Sequence, residues 1–177
     1  MAKNLFASFT LPLMYGDVGT NETENAAMAT DTDLIKLYSG RILALASDIP
    51  HHERLSNPMA TVKKRSPLCG SAVTVDVGLT DGRVSSFGQD VKACALGQAA
   101  AAVTGAAVVG RSLSEMTQAR DALRSMLKDG GPVPPAPFDG FEVLEPAREY
   151  KNRHASILLC IEATCEAMTQ ALQSDCA

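Results

Sequence analysis

Leu34, Ile35, Tyr38, Ile42 and Leu45 recur at helical spacing between Asp31 and Ser47, which predicts an amphipathic first helix with Asp31 or Thr32 as its cap and Pro50 as its stop. The period then shortens to two. Three runs read as strands: Ala60 to Arg65, Ala72 to Leu79 and Arg83 to Phe87. In the second, Val73, Val75 and Val77 alternate with Thr74 and Asp76, so one face is apolar and Thr74 and Asp76 are expected on the opposite, polar face. Thr80-Asp81-Gly82 joins the last two runs as a hairpin.

Helical spacing returns after the strands. A second helix is predicted from about Lys92 to Val108, capped by Asp90 and rich enough in Ala and Gly to lie close to its neighbours. Ser112-Leu113-Ser114-Glu115 is a capping box opening a third helix with Met116, Ala119, Leu123, Met126 and Leu127 on one face, ended by Gly130-Gly131. Pro132 to Gly140 reads as a stiff extended connector. The chain restarts at Pro146, and from about Asn152 a long C-terminal helix carries Ile157, Ile161, Cys165, Met168 and Leu172 on one side. A helix, three strands and then helices imply an α+β fold: a small three-stranded antiparallel sheet with helices packed on one face.

Composition narrows what such a domain could do. The 177 residues are 46% apolar and 20% charged, enough for one ordinary globular domain to close a core. Sixteen Lys plus Arg against twenty Asp plus Glu leave a net charge of −4, with no basic cluster longer than Lys63-Lys64-Arg65, so no nucleic-acid partner is expected. Aromatic residues make up 5%, without Trp, which leaves little material for stacking platforms. The uncharged stretch Ala93 to Gly110 is Ala and Gly rather than Leu, Ile and Phe, so it reads as a buried helix and no membrane contact is expected. The apolar run within Met1 to Gly16 has one Lys and is followed by Asp17, Glu22 and Glu24, a poor leader and a poorer transit peptide. Met28 stands just ahead of the first helix signal. Residues 1–30 are therefore expected to be a flexible extension and 31–177 the folded domain.

Five cysteines, at 69, 94, 160, 165 and 176, form an odd set without disulfide spacing, which favours a reducing compartment and a cytoplasmic protein. Cys69 sits in Ser66-Pro67-Leu68-Cys69-Gly70, a turn between two strands. Its thiol is either near the surface or, as free cysteines more often are, packed away. Cys94 falls at the start of the second helix beside Lys92, where free N–H groups favour a thiolate, although a small packing residue would serve there too. Topology can bring these two to the same sheet end. His154, at the start of the last helix, could join them as ligand or proton acceptor; alone it would read as a surface or capping histidine. Cys160 and Cys165 read as core, Cys176 as incidental, and His51-His52 with Glu53 as solvated loop residues. No phosphate loop, Gly-x-Ser-x-Gly elbow, His-Glu-x-x-His or Cys-x-x-Cys is present.

Leu68-Cys69-Gly70 before a valine-rich hairpin, Lys92-Ala93-Cys94-Ala95-Leu96-Gly97-Gln98-Ala99 opening a helix, and Arg153-His154-Ala155-Ser156-Ile157-Leu158 together resemble the NifU/IscU-type iron–sulfur cluster assembly scaffolds. The long piece between Cys94 and His154 makes the likeness closer to the SufU-type branch, over about residues 31 to 172. The resemblance implies a small α+β fold. It also implies three cysteines, reinforced by Asp or His, that hold zinc or a nascent iron–sulfur cluster, with one thiol taking sulfur from a cysteine desulfurase. By position Cys69 and Cys94 match the first two cysteines, and His154 matches the histidine before the third. Two positions depart: Ser71 stands where the family has Asp, and Ala155 where it has the third cysteine.

The reading that follows is a non-enzymatic scaffold or sulfur acceptor. Cys69, Cys94 and His154 would bind iron, zinc or a nascent cluster, and Cys69 would be the thiol that reacts with the desulfurase persulfide. The partners implied are a cysteine desulfurase and apo iron–sulfur proteins, with the chain a monomer or weak homo-oligomer. Three ligands rather than four leave such a site open. The alternative is a thiol redox enzyme or sensor with Cys94 as nucleophile and Cys69 as resolving thiol.

Overall fold

Alternation along the valine-rich run builds the middle strand of the sheet. The computed structural model of the protein describes residues 40–67 and 70–175. Its elements are α1 (Gly40–Ser47), β1 (Ala60–Arg65), β2 (Ala72–Thr80), β3 (Arg83–Lys92), α2 (Ala95–Val108), α3 (Leu113–Lys128), a 3-10 helix (Asp139–Glu149) and α4 (Lys151–Asp175). The extension expected over residues 1–30 and the helix start at Asp31 or Thr32 lie outside the described residues. Within α1, Ile42 is buried.

The strands form one antiparallel sheet in the order β1-β2-β3. Val62 stands opposite Val75, and Val75 opposite Gln89. Asp81 and Gly82 have φ of 52° and 71°, the two left-handed residues of a tight hairpin turn whose twist matches that of the strands. The α+β architecture with a three-stranded sheet is as the pattern implies. α4 lies on β1 and β2 and packs laterally against α2 and α3, so the longest helix is the centre of the domain.

Two expectations about the sheet need correcting. β3 continues past Phe87 to Lys92, because Gly88, Gln89 and Asp90 keep pairing with β2 although they interrupt the apolar alternation. Buried Gln89 is compensated where it stands: its Nε2 donates to Pro50 O at 2.8 Å and Ala101 O at 3.2 Å. Asp90 is therefore a strand residue, and Cys94 instead takes the N-cap position of α2. Thr74 and Asp76 are also buried, not solvated, at 7% and 0% exposure. The segment after α1 crosses that face so closely that a Cβ on Gly88 would lie 2.4 Å from Glu53 O. It brings Arg54 and the Leu55 N–H onto the Asp76 carboxylate, which Thr61 Oγ1 also reaches at 2.6 Å.

The predicted capping box is present. Ser112 Oγ accepts from Glu115 N, and the Glu115 carboxylate accepts from Ser112 N at 2.9 Å. The connector carries no helix or strand as far as Phe138 and leads into an element that the pattern did not predict. Phe138, Phe141, Leu144 and Ala147 are all buried. Their spacing of three is the 3-10 period, at which side chains eclipse along one edge. Pro146 lies inside this 3-10 helix and does not begin the last helix.

Candidate cysteine site at the end of the sheet

The end of β3 and the start of α2 are joined by Ala93 and Cys94. Cys94 has extended backbone angles, φ −66° and ψ 165°, and its side chain makes no capping bond. Its carbonyl accepts the first helical bond, from Gln98 N at 2.9 Å. The half-buried thiol is thereby free to turn toward α4, where Cys94 Sγ lies 3.6 Å from Ser156 Oγ. Ser156 is 1% exposed, and its hydroxyl is also 2.9 Å from Ser71 Oγ at the start of β2. The three side chains come from the three segments that carry the resemblance noted above.

Gly97 makes this convergence possible. A Cβ there would fall 2.6 Å from Ser156 Oγ and 3.2 Å from Ser156 O, too near for any side chain, so the first turn of α2 and the N-terminal part of α4 meet across a glycine.

His154 is held differently. It is 5% exposed, and its Nε2 is 3.0 Å from both Ala147 O and Arg148 O at the end of the 3-10 helix. Carbonyl oxygens only accept, so Nε2 carries a proton, and Nδ1 is the ring nitrogen that these two carbonyls leave unengaged. The imidazole thus ties the end of the 3-10 helix to the beginning of α4. Cys94 makes its side-chain contact with Ser156, not with His154. Cys69 lies outside the described residues, as does Cys176. The connection that carries Cys69 is closed by Ser66 N donating to Ser71 O at 2.8 Å. Among the described residues no group of three or more His, Cys, Asp or Glu is placed to hold a metal ion.

The other candidates are structural. Cys160 and Cys165 are 1% and 4% exposed. Burial pushes the Cys160 thiol up to about 12, and its Sγ donates to Gln89 Oε1 at 3.2 Å. Burial also raises Cys165. His51 meets Phe87 edge-on at 6.1 Å, while His52 Nε2 accepts from Val91 N at 3.4 Å. These two imidazoles tie the loop to β3.

Residue types alone missed two features. Ser156 lay inside the quoted segment but carried no local signal; only its position two residues after His154 hinted at it. The second is a cleft of about 770 Å³ beside the start of α4, lined by Lys64, Arg65, Lys128, Arg148 and Lys151 with Glu162, and floored by Leu127, Leu158 and Leu159. His154 and Ala155 are on its wall. Lys64 and Arg65 belong to the run Lys63-Lys64-Arg65, but the other cations come from the ends of separate elements, so that short run alone does not mark the cleft.

Comparison with solved structures finds the N-terminal part of a nitrogen-fixing NifU-like protein from Brucella abortus, 40% identical, covering 80% of this chain and 98% of that one at a TM-score of 0.77. A Fervidobacterium islandicum protein assigned by its description to iron–sulfur cluster assembly, as a scaffold for the SUF system, is 18% identical. It covers 76% of this chain and 98% of its own at a TM-score of 0.68, and shows the same fold. A third protein, described only as hypothetical, is 22% identical with a TM-score of 0.67. No protein-family model and no curated protein matches the chain.

Proposed function

The chain belongs to the NifU-like family, and from that premise we propose that it serves iron–sulfur cluster assembly as a scaffold or sulfur acceptor, holding its cargo at Cys69, Cys94 and His154. The observation that carries this reading is the convergence of Cys94, Ser156 and Ser71 at one end of the sheet. Cys69 is two residues from Ser71 in the chain, and two residues span at most about 7 Å. Thiols suit zinc, iron and sulfide as soft ligands. The residues present fit a cargo held loosely. Cys94, Cys69 and the Nδ1 of His154 supply at most three strong donors, while Ser71 and Ala155 add neither the carboxylate nor the thiolate of the wider family. A three-donor site leaves one position open, which suits transfer better than storage.

Sulfur transfer needs only thiol exchange. The Cys69 thiolate attacks the outer sulfur of a persulfide on a cysteine desulfurase, the donor S–S bond breaks, and the desulfurase cysteine leaves as its thiolate. Cys69 then carries the persulfide, with no net oxidation or reduction. A reducing compartment such as the cytoplasm would keep these thiols available for exchange, and apo iron–sulfur proteins would be the recipients. Metal analysis of the anaerobically purified protein tests the reading, together with mass spectrometry after incubation with a desulfurase and cysteine. Stoichiometric zinc or iron lost in Cys69→Ser and in Cys94→Ser, or one added sulfur on Cys69, is the expected result. A metal-free chain that takes no sulfur and instead forms a Cys69–Cys94 disulfide with peroxide would overturn it.

A further inference from the structure

The basic cleft has no role in the reading above, although it shares the start of α4 with the cysteine site. Its lining carries five cations against one carboxylate, in a chain whose formal net charge is −4. Two of the five are occupied: Lys64 pairs with Glu166 at 2.9 Å and Arg148 with Glu145 at 2.9 Å. Arg65, Lys128 and Lys151 are exposed and have no acidic partner among the described residues. Beneath them lies the apolar floor of Leu127, Leu158 and Leu159. An acidic protein that keeps unpaired cations around an apolar hollow of this size has the makings of an anion site, since a small-molecule pocket occupies a few hundred to about a thousand Å³.

Ala155 says what the anion should carry. The half-buried methyl of Ala155 is part of the cleft wall. The next residue, Ser156, reaches Cys94. In the scaffold reading the third thiol is the one missing at Ala155, a position on the cleft wall. Resting on the scaffold reading, we propose that the cleft binds a small thiol flanked by carboxylates, of the glutathione class, whose carboxylates are held by Arg65, Lys128 and Lys151 and whose sulfur stands in for the thiol absent at Ala155. The cargo then receives a third thiolate that is exchangeable, and its release is governed by dissociation of the small thiol.

The test uses the full chain and three probes: glutathione, S-methylglutathione, and cysteamine, which has the thiol without carboxylates. Calorimetry on metal-free protein is expected to show glutathione and S-methylglutathione binding alike and cysteamine not at all, with Lys128→Glu/Lys151→Glu weakening both binders by about tenfold or more. Zinc retention through gel filtration is the second readout. Glutathione should raise it, S-methylglutathione should not, and Ala155→Cys should retain zinc without any added thiol. Absence of glutathione binding, or binding indifferent to the charge reversals, overturns the cleft assignment. Equal zinc retention with glutathione and its S-methyl form overturns the role of the sulfur. If Ala155→Cys holds no zinc even with glutathione, the scaffold reading fails, and the calorimetric result on the cleft stands separately.

Discussion

Ser71 and Ser156 lie 85 positions apart in the chain and meet hydroxyl to hydroxyl at 2.9 Å, with the Cys94 sulfur 3.6 Å from the same Ser156 oxygen. Both serines are buried, at 3% and 1% exposure, so each hydroxyl exchanges water for protein partners on folding. Removing either one takes a buried hydrogen bond from the other, at a cost of about 1 kcal/mol. Ser71→Ala and Ser156→Ala should each lower stability to urea by that amount. The double variant should lose less than the sum by about 0.5–1 kcal/mol, because the second truncation removes no further bond between the pair. Strict additivity would mean that the two oxygens do not interact.

Gly97 is the point where α2 admits α4. A methyl there meets Ser156 Oγ at 2.6 Å, Ala93 Cβ at 2.8 Å and the Ser156 carbonyl oxygen at 3.2 Å. The hydroxyl can rotate away, but the backbone oxygen and Ala93 cannot. Gly97→Ala should therefore destabilise the fold by about 1–3 kcal/mol, in spite of the better helix propensity of alanine. Gly40, whose Cβ would meet nothing within 4 Å, is the control: Gly40→Ala should be neutral or mildly stabilising by the same denaturation assay.

How much of this was legible in the sequence follows from the range of each signal. The valine alternation of β2, the Asp81-Gly82 hairpin and the Ser112/Glu115 capping box are local rules, and each stands as predicted. Thr74 and Asp76 misled because alternation reports which face is apolar, not whether the polar face is covered. The cover is a loop whose Arg54 sits 22 residues from Asp76. The 3-10 helix was missed because a period of three around prolines resembles neither a helix nor a strand. At the candidate site, Cys94 was visible from its place before a helix, whereas the Ser71–Ser156 contact depends on how α4 is laid across the sheet, which no local pattern encodes. His154 was read as a companion of the thiols; the two carbonyls that hold its Nε2 belong to the 3-10 helix and had no signal in the sequence.

Cys160 should be chemically silent until the protein unfolds. Burial pushes its thiol up to about 12, and it is 1% exposed beneath Gln89. Thiolate, not thiol, is the species that alkylates. In native protein at neutral pH, iodoacetamide followed by peptide mapping should label Cys94 and leave Cys160 unmodified over hours, with full labelling of Cys160 in guanidinium. Cys160→Ala should cost about 1 kcal/mol or more, because Gln89 Oε1 then loses its donor in the core. Labelling of Cys160 at the rate of Cys94 in folded protein would contradict its placement.

Acid should undo the strap over the sheet. Burial alone would raise the Asp76 carboxyl, but the hydrogen bonds from Arg54, Thr61 and Leu55 N–H and the charge of Arg54 outweigh it and hold the group below its ordinary value. Glu115 is brought down to about 2, first by the Ser112 backbone N–H, then by the Ser112 hydroxyl and Arg83. Both carboxyls thus have folded values below their unfolded ones. Their contribution is fully present above the unfolded carboxylate range near pH 4, and it is lost as pH falls through the folded values. Urea stability should be flat from about pH 7 to 5 with respect to these two groups and decline toward pH 2. Asp76→Asn isolates one of them. Arg54 is half exposed, at 49% of its side chain, so its attraction is screened by water, and the variant should cost about 2 kcal/mol at neutral pH. As pH falls through the folded value of Asp76 the wild-type carboxyl is neutralised, so the gap between wild type and Asp76→Asn should narrow. A gap of constant size across that range would show that the Asp76 charge contributes nothing and that only the shape of the side chain matters.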